Sequence, residues 1–223
     1  MKGDGFRMNI VFLGPPGAGK GTQGARLAEA TGMHRIATGD LVRQEVRRDS
    51  ALGREAATYS DAGELVPDEL MLELLREEMG RTGEGASWIF DGYPRNLAQA
   101  GSLDELLAEV DKQVDHILLL EVPEDLLFKR LSGRRACGDC GEAYNIYFRK
   151  PEQPGRCDKC GGRLETRADD EPSAVRRRLQ VYRDNTYPVV DYYRGNGRAV
   201  HVVDGAQPVG KVAQDLCDAL SSR

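Results

Sequence analysis

The 223-residue chain is 40% hydrophobic and carries a net charge of −5 with a pI near 5.4. That apolar content suffices for one large domain with insertions, and the acidic balance offers no whole-chain basic field to nucleic acid or an anionic membrane surface. No apolar run approaches the roughly 18 residues a membrane helix needs, and the N-terminus lacks the apolar core of a secretion signal, so a soluble, cytoplasmic protein is expected.

Residues 1–7 precede a second methionine, Met8, and read as a disordered extension or a misplaced start. The first expected strand, residues 9–13, runs directly into Gly14-Pro-Pro-Gly-Ala-Gly-Lys-Gly-Thr22. A buried strand, a glycine-rich turn and a helix opening near Lys20 aim consecutive backbone N–H groups and a positive helix end at phosphate groups. Gly14, Gly17, Gly19 and Gly21 suit that turn because a side chain there would block the approach or forbid positive φ. Lys20 is placed to reach the outer phosphates, and the Thr22 hydroxyl to face them or their Mg²⁺. The spacing matches Gly-x4-Gly-Lys, but Gly21 stands where Ser or Thr usually follows the lysine.

Further strands are expected at 34–37, 88–91, 116–121 and 199–203. Helices are expected at 20–31, 39–49, 53–60, 68–79, 96–110 and 124–132, then from Ser173, the expected N-cap, to about Arg194, and last at 209–221. This alternation implies a parallel sheet covered on both faces, with ligands at the carboxyl ends of the strands. Thr38-Gly-Asp40 and Arg43 follow the second strand; Asp91-Gly-Tyr-Pro-Arg95 follows the third, with Asp91 placed to hold Mg²⁺ through water. Segments 38–66 and 133–170 break the alternation and look inserted.

The second insert carries Cys137-Gly-Asp-Cys140 and Cys157-Asp-Lys-Cys160, two Cys-x2-Cys knuckles each followed by glycine. Four thiolates at that spacing converge tetrahedrally on one Zn²⁺, although iron or cobalt would also suit them; with no open position the metal is structural. The fifth, Cys217, reads as a small core residue in the last helix. Arg130, Arg134, Arg135, Arg167, Arg176 and Arg178 crowd both edges of the insert, a density that suits a clamp on phosphate oxygens. His34, His116 and His201 lie in or beside expected strands and read as packing residues.

From Asn9 to the last helix these residues resemble the adenylate kinases, specifically the long-lid, zinc-containing bacterial type. The resemblance rests on the phosphate loop through Gln23, Thr38-Gly-Asp40, Gly63-Glu-Leu-Val-Pro-Asp68, Asp91 to Arg95 with Gln99, Gly133-Arg-Arg135, the four cysteines and Arg167-Ala-Asp-Asp170. The Gly21-Thr22 departure is itself this family's form of the loop, whereas Tyr93 and Pro15 stand where other residues are frequent in it. The resemblance implies the fold of a P-loop nucleoside monophosphate kinase: α/β, a five-stranded parallel sheet flanked by helices, with two inserted mobile domains. The core would comprise residues 1–36, 67–132 and 171–223, the monophosphate-binding domain 37–66, and the zinc-bearing lid 133–170. The implied reaction is Mg²⁺-dependent, reversible transfer of the γ-phosphoryl group of ATP to AMP, giving two ADP, by a monomer with no nucleic-acid or membrane partner.

By carry-over, Gly17, Ala18, Gly19, Lys20, Gly21 and Thr22 would hold ATP, with Arg130, Arg134, Ala143, Tyr144 and Gln207. Thr38, Arg43, Glu64, Leu65, Val66, Gly92, Tyr93, Pro94, Arg95 and Gln99 would hold AMP, with Gln99 reading the adenine edge. Lys20, Arg95, Arg130, Arg134, Arg167 and Arg178 would form the catalytic set, the last two gripping the phosphates being joined. Asp169 and Asp170 are placed to pair with lid arginines on closing. Three alternatives stand beside this: a UMP/CMP-type kinase, whose lids are generally short and lack cysteines; a P-loop switch with a nucleic-acid or protein-binding zinc module; and a plain P-loop ATPase.

Overall fold

The computed structural model describes residues 8–62, 64, 66–83 and 85–221. Parallel strands β1 (Ile10–Leu13), β2 (His34–Ala37), β3 (Trp88–Asp91), β4 (His116–Glu121) and β8 (Ala199–Asp204) form one sheet in the order β2-β3-β1-β4-β8. The central strands are apolar on both faces, as strands covered by helices on both sides must be. Val11 and Leu13 of β1 join one core cluster with Ile117 and Leu119 of β4, and Ile10 and Phe12 join the opposite cluster with Leu118 and Leu120.

The first cluster is closed by α2 (Thr38–Arg47), α4 (Asp68–Arg81), α5 (Leu97–Ala108) and α8 (Pro188–Gly195). The second is closed by α1 (Lys20–Thr31), α6 (Glu124–Ser132), α7 (Pro172–Val181) and α9 (Val209–Ser221), where Cys217 packs half-buried. Helix α3 (Ala51–Ala62) packs on α2, its Ala56 buried. The fold is therefore the α/β architecture expected, and no described helix is long and apolar enough to cross a membrane.

The expected helix over 173–194 is two. α7 ends at Val181, a π-helical turn spans Tyr182–Thr186 with Tyr187 N–H donating to the Tyr182 carbonyl at 2.9 Å, and Pro188 opens α8. Proline cannot donate to the α-helical ladder and its ring crowds the carbonyl four residues back, so the chain adds a residue to the turn and restarts. Ser173 is not the N-cap either: Pro172 occupies the first turn and the extended Glu171 flanks it. His34 is exposed at the start of β2 rather than packed, whereas His116 and His201 meet across β4 and β8 at 3.1 Å between ring nitrogens.

Outside the main sheet, β5 (Arg134–Cys137), β6 (Ala143–Asn145) and β7 (Leu164–Glu165) form an antiparallel sheet in the order β6-β5-β7. Its buried cluster is Cys137, Tyr144, Cys157 and Leu164. Those strands have two to four residues, too short for any periodicity to announce them.

Candidate active site

The loop leaving β1 turns beneath the carboxyl ends of β1, β3 and β4, the edge where open α/β sheets take ligands. Gly14 has φ 144° and a Cβ there would lie 2.8 Å from the Leu120 carbonyl; Gly17, at φ 83°, would meet Leu131 at 2.9 Å. Gly19 precedes α1 in the left-handed region, so the free N–H groups of the first turn face the loop's interior. Lys20 Nζ bridges the carbonyls of Gly14 and Pro15 at 2.6 and 3.0 Å. Withdrawal of its ammonium from water, with Arg95, Arg178 and Arg134 nearby and only Asp91 opposing, brings its pKa down to about 8.

Asp91 ends β3 with its side chain 9% exposed. Among the described residues its carboxylate is held through Oδ2, which accepts from Arg35 Nε at 3.1 Å and NH2 at 2.5 Å, leaving Oδ1 to other donors. Thr38, enclosed where β2 meets α2, donates to the Gly92 carbonyl at 3.0 Å. Gly92 has φ 87°, and its would-be Cβ would strike the Thr38 hydroxyl at 2.8 Å. Arg95 Nε donates to the same Gly92 carbonyl at 2.7 Å, while the Arg95 carbonyl accepts from Thr186 at 2.8 Å. Tyr93 is buried and joined to Pro94 by a cis peptide bond.

Gln99 is 2% exposed, and Asn96 caps its helix by accepting the Gln99 N–H at 2.7 Å. The Gln99 carbonyl oxygen accepts from the Arg95 N–H at 2.7 Å, and its amide nitrogen donates to Asp68 at 2.6 Å, which fixes which end of the amide is which. One amide hydrogen remains beyond that bond. Arg43 pairs with Asp40 within α2. Burial would raise the Asp40 pKa, but the hydrogen bond and charge of Arg43, with Arg35 and Arg167, hold it below the usual carboxylate value. Glu64 pairs with Arg177 of α7 at 2.5 Å; Val66 is buried; Leu65 and Gly63 lie outside the described residues.

Of the expected arginine clamp, Arg134, Arg167 and Arg178 come together around Asp169 and Asp170. Arg134 makes a two-pronged bond to Asp170, at 2.7 Å from Nε and 2.6 Å from NH2, and Arg178 reaches Asp169 at 2.8 Å. Arg130 lies over the phosphate loop, 3.4 Å from the Ala18 carbonyl. Arg135 turns instead to the carbonyls of Ser132 and Arg134, and Arg176 is exposed, so neither belongs to the clamp. Burial, then the charges of Arg134 and Arg43, bring Arg167 down to about 10; burial, then Arg178, does the same to Arg95. These groups remain cationic at neutral pH and repel one another, the state of a site shaped for polyanions.

Ala143 is exposed on β6, and Tyr144 beside it turns its hydroxyl to the Asp158 N–H at 2.8 Å and to Cys157 Sγ at 3.6 Å. Gln207, after β8, donates to the Asp204 carbonyl at 3.2 Å and to Asp215 at 3.0 Å. Two residues of the site receive no role from sequence reasoning: Arg35, whose only signal is a charge beside Ile36 on a strand, and Asp68, which closes a motif without a role of its own.

The four cysteine sulfurs lie within 4.8 Å of one another, with Cys137 to Cys160 at 3.4 Å and Cys140 to Cys157 at 3.6 Å. A tetrahedral ion with bonds of about 2.3 Å sets its sulfurs about 3.8 Å apart, so the cluster has the span a metal requires. Each knuckle closes identically: Gly141 N–H to the Cys137 carbonyl at 3.0 Å, and Gly161 N–H to the Cys157 carbonyl at 2.8 Å.

The family model for adenylate kinase matches residues 12–198. The adenylate kinase of Thermodesulfovibrio yellowstonii is 45% identical over 97% of this chain and 100% of its own length. That of Archaeoglobus fulgidus is 44% identical over 94% and 96%, and that of Bacillus subtilis 43% identical over 96% and 98%. Identity at this level along the whole length, together with the phosphate loop and the five-stranded sheet, places the chain in the adenylate kinase family.

Proposed function

We propose the following division of labour for this adenylate kinase, whose reaction is the reversible transfer of the γ-phosphoryl group of ATP to AMP, giving two ADP. Residues 17–22 hold the ATP phosphates through backbone N–H groups, Lys20 and the Thr22 hydroxyl. Arg43 and Arg95 hold the AMP phosphate, Glu64 to Val66 and Gly92 to Pro94 shape the AMP site, and Gln99 reads the adenine edge with its remaining amide hydrogen. Arg130, Arg134, Arg167 and Arg178 neutralise the group in flight. At Tyr144 the side chain is committed to the cysteine cluster, so a nucleotide contact there belongs to the main chain.

What carries this reading is the crowd of cations gathered over one loop: Lys20, Arg95, Arg167 and Arg178, their pKa values lowered by burial and the charges of neighbouring arginines, with Arg134 among those neighbours. Phosphoryl transfer needs charge neutralisation and alignment more than a protein nucleophile, and among the described residues this site offers no Ser–His or Cys–His pair. Mg²⁺ bound with ATP would add charge neutralisation at the phosphate oxygens, with Asp91 Oδ1 and the Thr22 hydroxyl the groups on this chain that would meet it or its water shell.

Residues 37–66 act as the monophosphate-binding domain and 133–170 as a lid whose closure excludes water, with 1–36, 67–132 and 171–223 as core. Zn²⁺ at the four cysteines cross-links the lid, which has a buried cluster of only four described residues. The test of the acceptor assignment is Gln99→Ala assayed with AMP, GMP, CMP and UMP. The parent uses AMP, and the variant loses about tenfold or more of its preference for AMP; an unchanged preference overturns the role given to Gln99.

A further inference from the structure

Arg35 lies on β2, between exposed His34 and buried Ile36, and its guanidinium runs along the first two turns of α1. Two helix positions that face it are glycines three residues apart, and hence on one face. A Cβ at Gly24 would lie 3.1 Å from Arg35 Nε and 3.2 Å from its Cδ; one at Gly21 would lie 3.4 Å from NH2. The helix is bare where the arginine passes. At its end Arg35 bonds Asp91 Oδ2 from Nε and NH2 at 3.1 and 2.5 Å, and reaches Asp40 Oδ2 with NH1 at 3.4 Å. Asp40 in turn holds Arg43 through its other oxygen.

These contacts make one chain of alternating charge, Asp91–Arg35–Asp40–Arg43, from the carboxylate assigned to the metal-bearing nucleotide to the arginine assigned to AMP. We propose that Arg35 is a positioning residue serving both substrates: it turns Asp91 so that Oδ1 faces Mg·ATP, and through Asp40 it fixes Arg43 for the acceptor phosphate, with Gly24 the position that admits it. The proposal rests on the roles given above to Asp91 and Arg43. A planar guanidinium that bridges two carboxylates holds both orientations at once, which a lysine's single ammonium does less well.

The experiment is titration calorimetry of the full chain with a non-hydrolysable ATP analogue, with and without Mg²⁺, together with KM for AMP. It uses Arg35→Met, Arg35→Lys, Gly24→Ala and, as a reference, Asp91→Asn. Arg35→Met is expected to reduce the Mg²⁺-dependent gain in analogue affinity about fivefold and to raise KM for AMP by a similar factor, leaving Mg²⁺-free affinity unchanged. Arg35→Lys recovers part of both effects. Gly24→Ala, whose methyl displaces the guanidinium, shifts both in the same direction without lowering the melting temperature. Parent-like values in Arg35→Met, or in Gly24→Ala should Arg35→Met not fold, overturn the proposal. Loss of the Mg²⁺-dependent gain in Asp91→Asn together with parent-like Arg35 and Gly24 variants removes only the role of Arg35. An unchanged gain in Asp91→Asn removes the metal-side assignment itself, and the proposal with it.

Discussion

Asp170, whose side chain has no exposed surface, accepts two parallel hydrogen bonds from Arg134, at 2.6 and 2.7 Å. Asp170 sits just before α7 and Arg134 begins the outer sheet, so this pair, with Arg178 at 3.3 Å, fastens residues 134–137 to the helix that flanks the phosphate loop. Removing one partner of an enclosed pair leaves the other charges uncompensated. Asp170→Ala should therefore lower the unfolding free energy by about 3 kcal/mol, measured by chemical denaturation. A change below about 0.5 kcal/mol would show that the arginines find water or another partner.

The pair formed by Glu64 and Arg177 makes the opposite case. Their side chains are 42% and 58% exposed, so solvent screens them and side-chain entropy offsets the attraction. Arg177→Ala should change stability by less than about 1 kcal/mol and leave the rate of ADP formation within about twofold. A larger loss of rate would mean that the residue does more than decorate α7.

Lys20 predicts a pH dependence whose sign differs between free and bound protein. In the free protein its pKa is brought down to about 8 from 10.5, chiefly by loss of hydration. The unfolded chain then binds more protons between those values, so this group makes stability rise as pH rises through that window. Nucleotide phosphates need the charged ammonium, so ATP binding above pH 8 should take up protons and weaken with rising pH. Calorimetry in buffers of different ionisation enthalpy reads that uptake, and its absence at pH 8.5 would contradict the assignment. Lys20→Met should abolish this uptake and reduce turnover on the order of 10³-fold.

Metal removal should act on the outer sheet first. The buried cluster there is Cys137, Tyr144, Cys157 and Leu164, two of which belong to the four-cysteine group proposed to hold Zn²⁺, so little apolar burial would remain without that cross-link. A strong chelator should lower the melting temperature and speed hydrogen exchange in residues 134–165, while the phosphate loop keeps its protection. Unchanged melting after verified loss of metal would deny the cross-link its structural role.

The main sheet was legible because its central strands β1, β3 and β4 are short, largely apolar runs; the expected 34–37, 88–91 and 116–121 coincide with β2, β3 and β4. The cysteine site was legible from spacing alone, since two knuckles with glycine after each have few other uses. What spacing cannot convey is which polar groups meet across the chain. Arg35 and Asp91 are 56 residues apart, and their meeting depends on β2 lying beside β3 in a register that pairs Ala37 with Asp91. The division of Arg134, Arg167 and Arg178 from Arg135 and Arg176 likewise depends on strand pleat and helix face, which a run of arginines in sequence does not disclose. The π-helical turn at Tyr182–Thr186 escaped because the helical pattern runs on across Pro188, whose missing donor forces the ladder to re-register.

The most direct test of the central claim is the rate of ADP formation from Mg·ATP by the purified chain with AMP and with no acceptor, run side by side. The account predicts rapid formation of two ADP for each AMP consumed and almost no hydrolysis when AMP is withheld. Hydrolysis at the same rate with or without AMP would contradict it, because the arginine cluster would then be aligning water rather than a second phosphate.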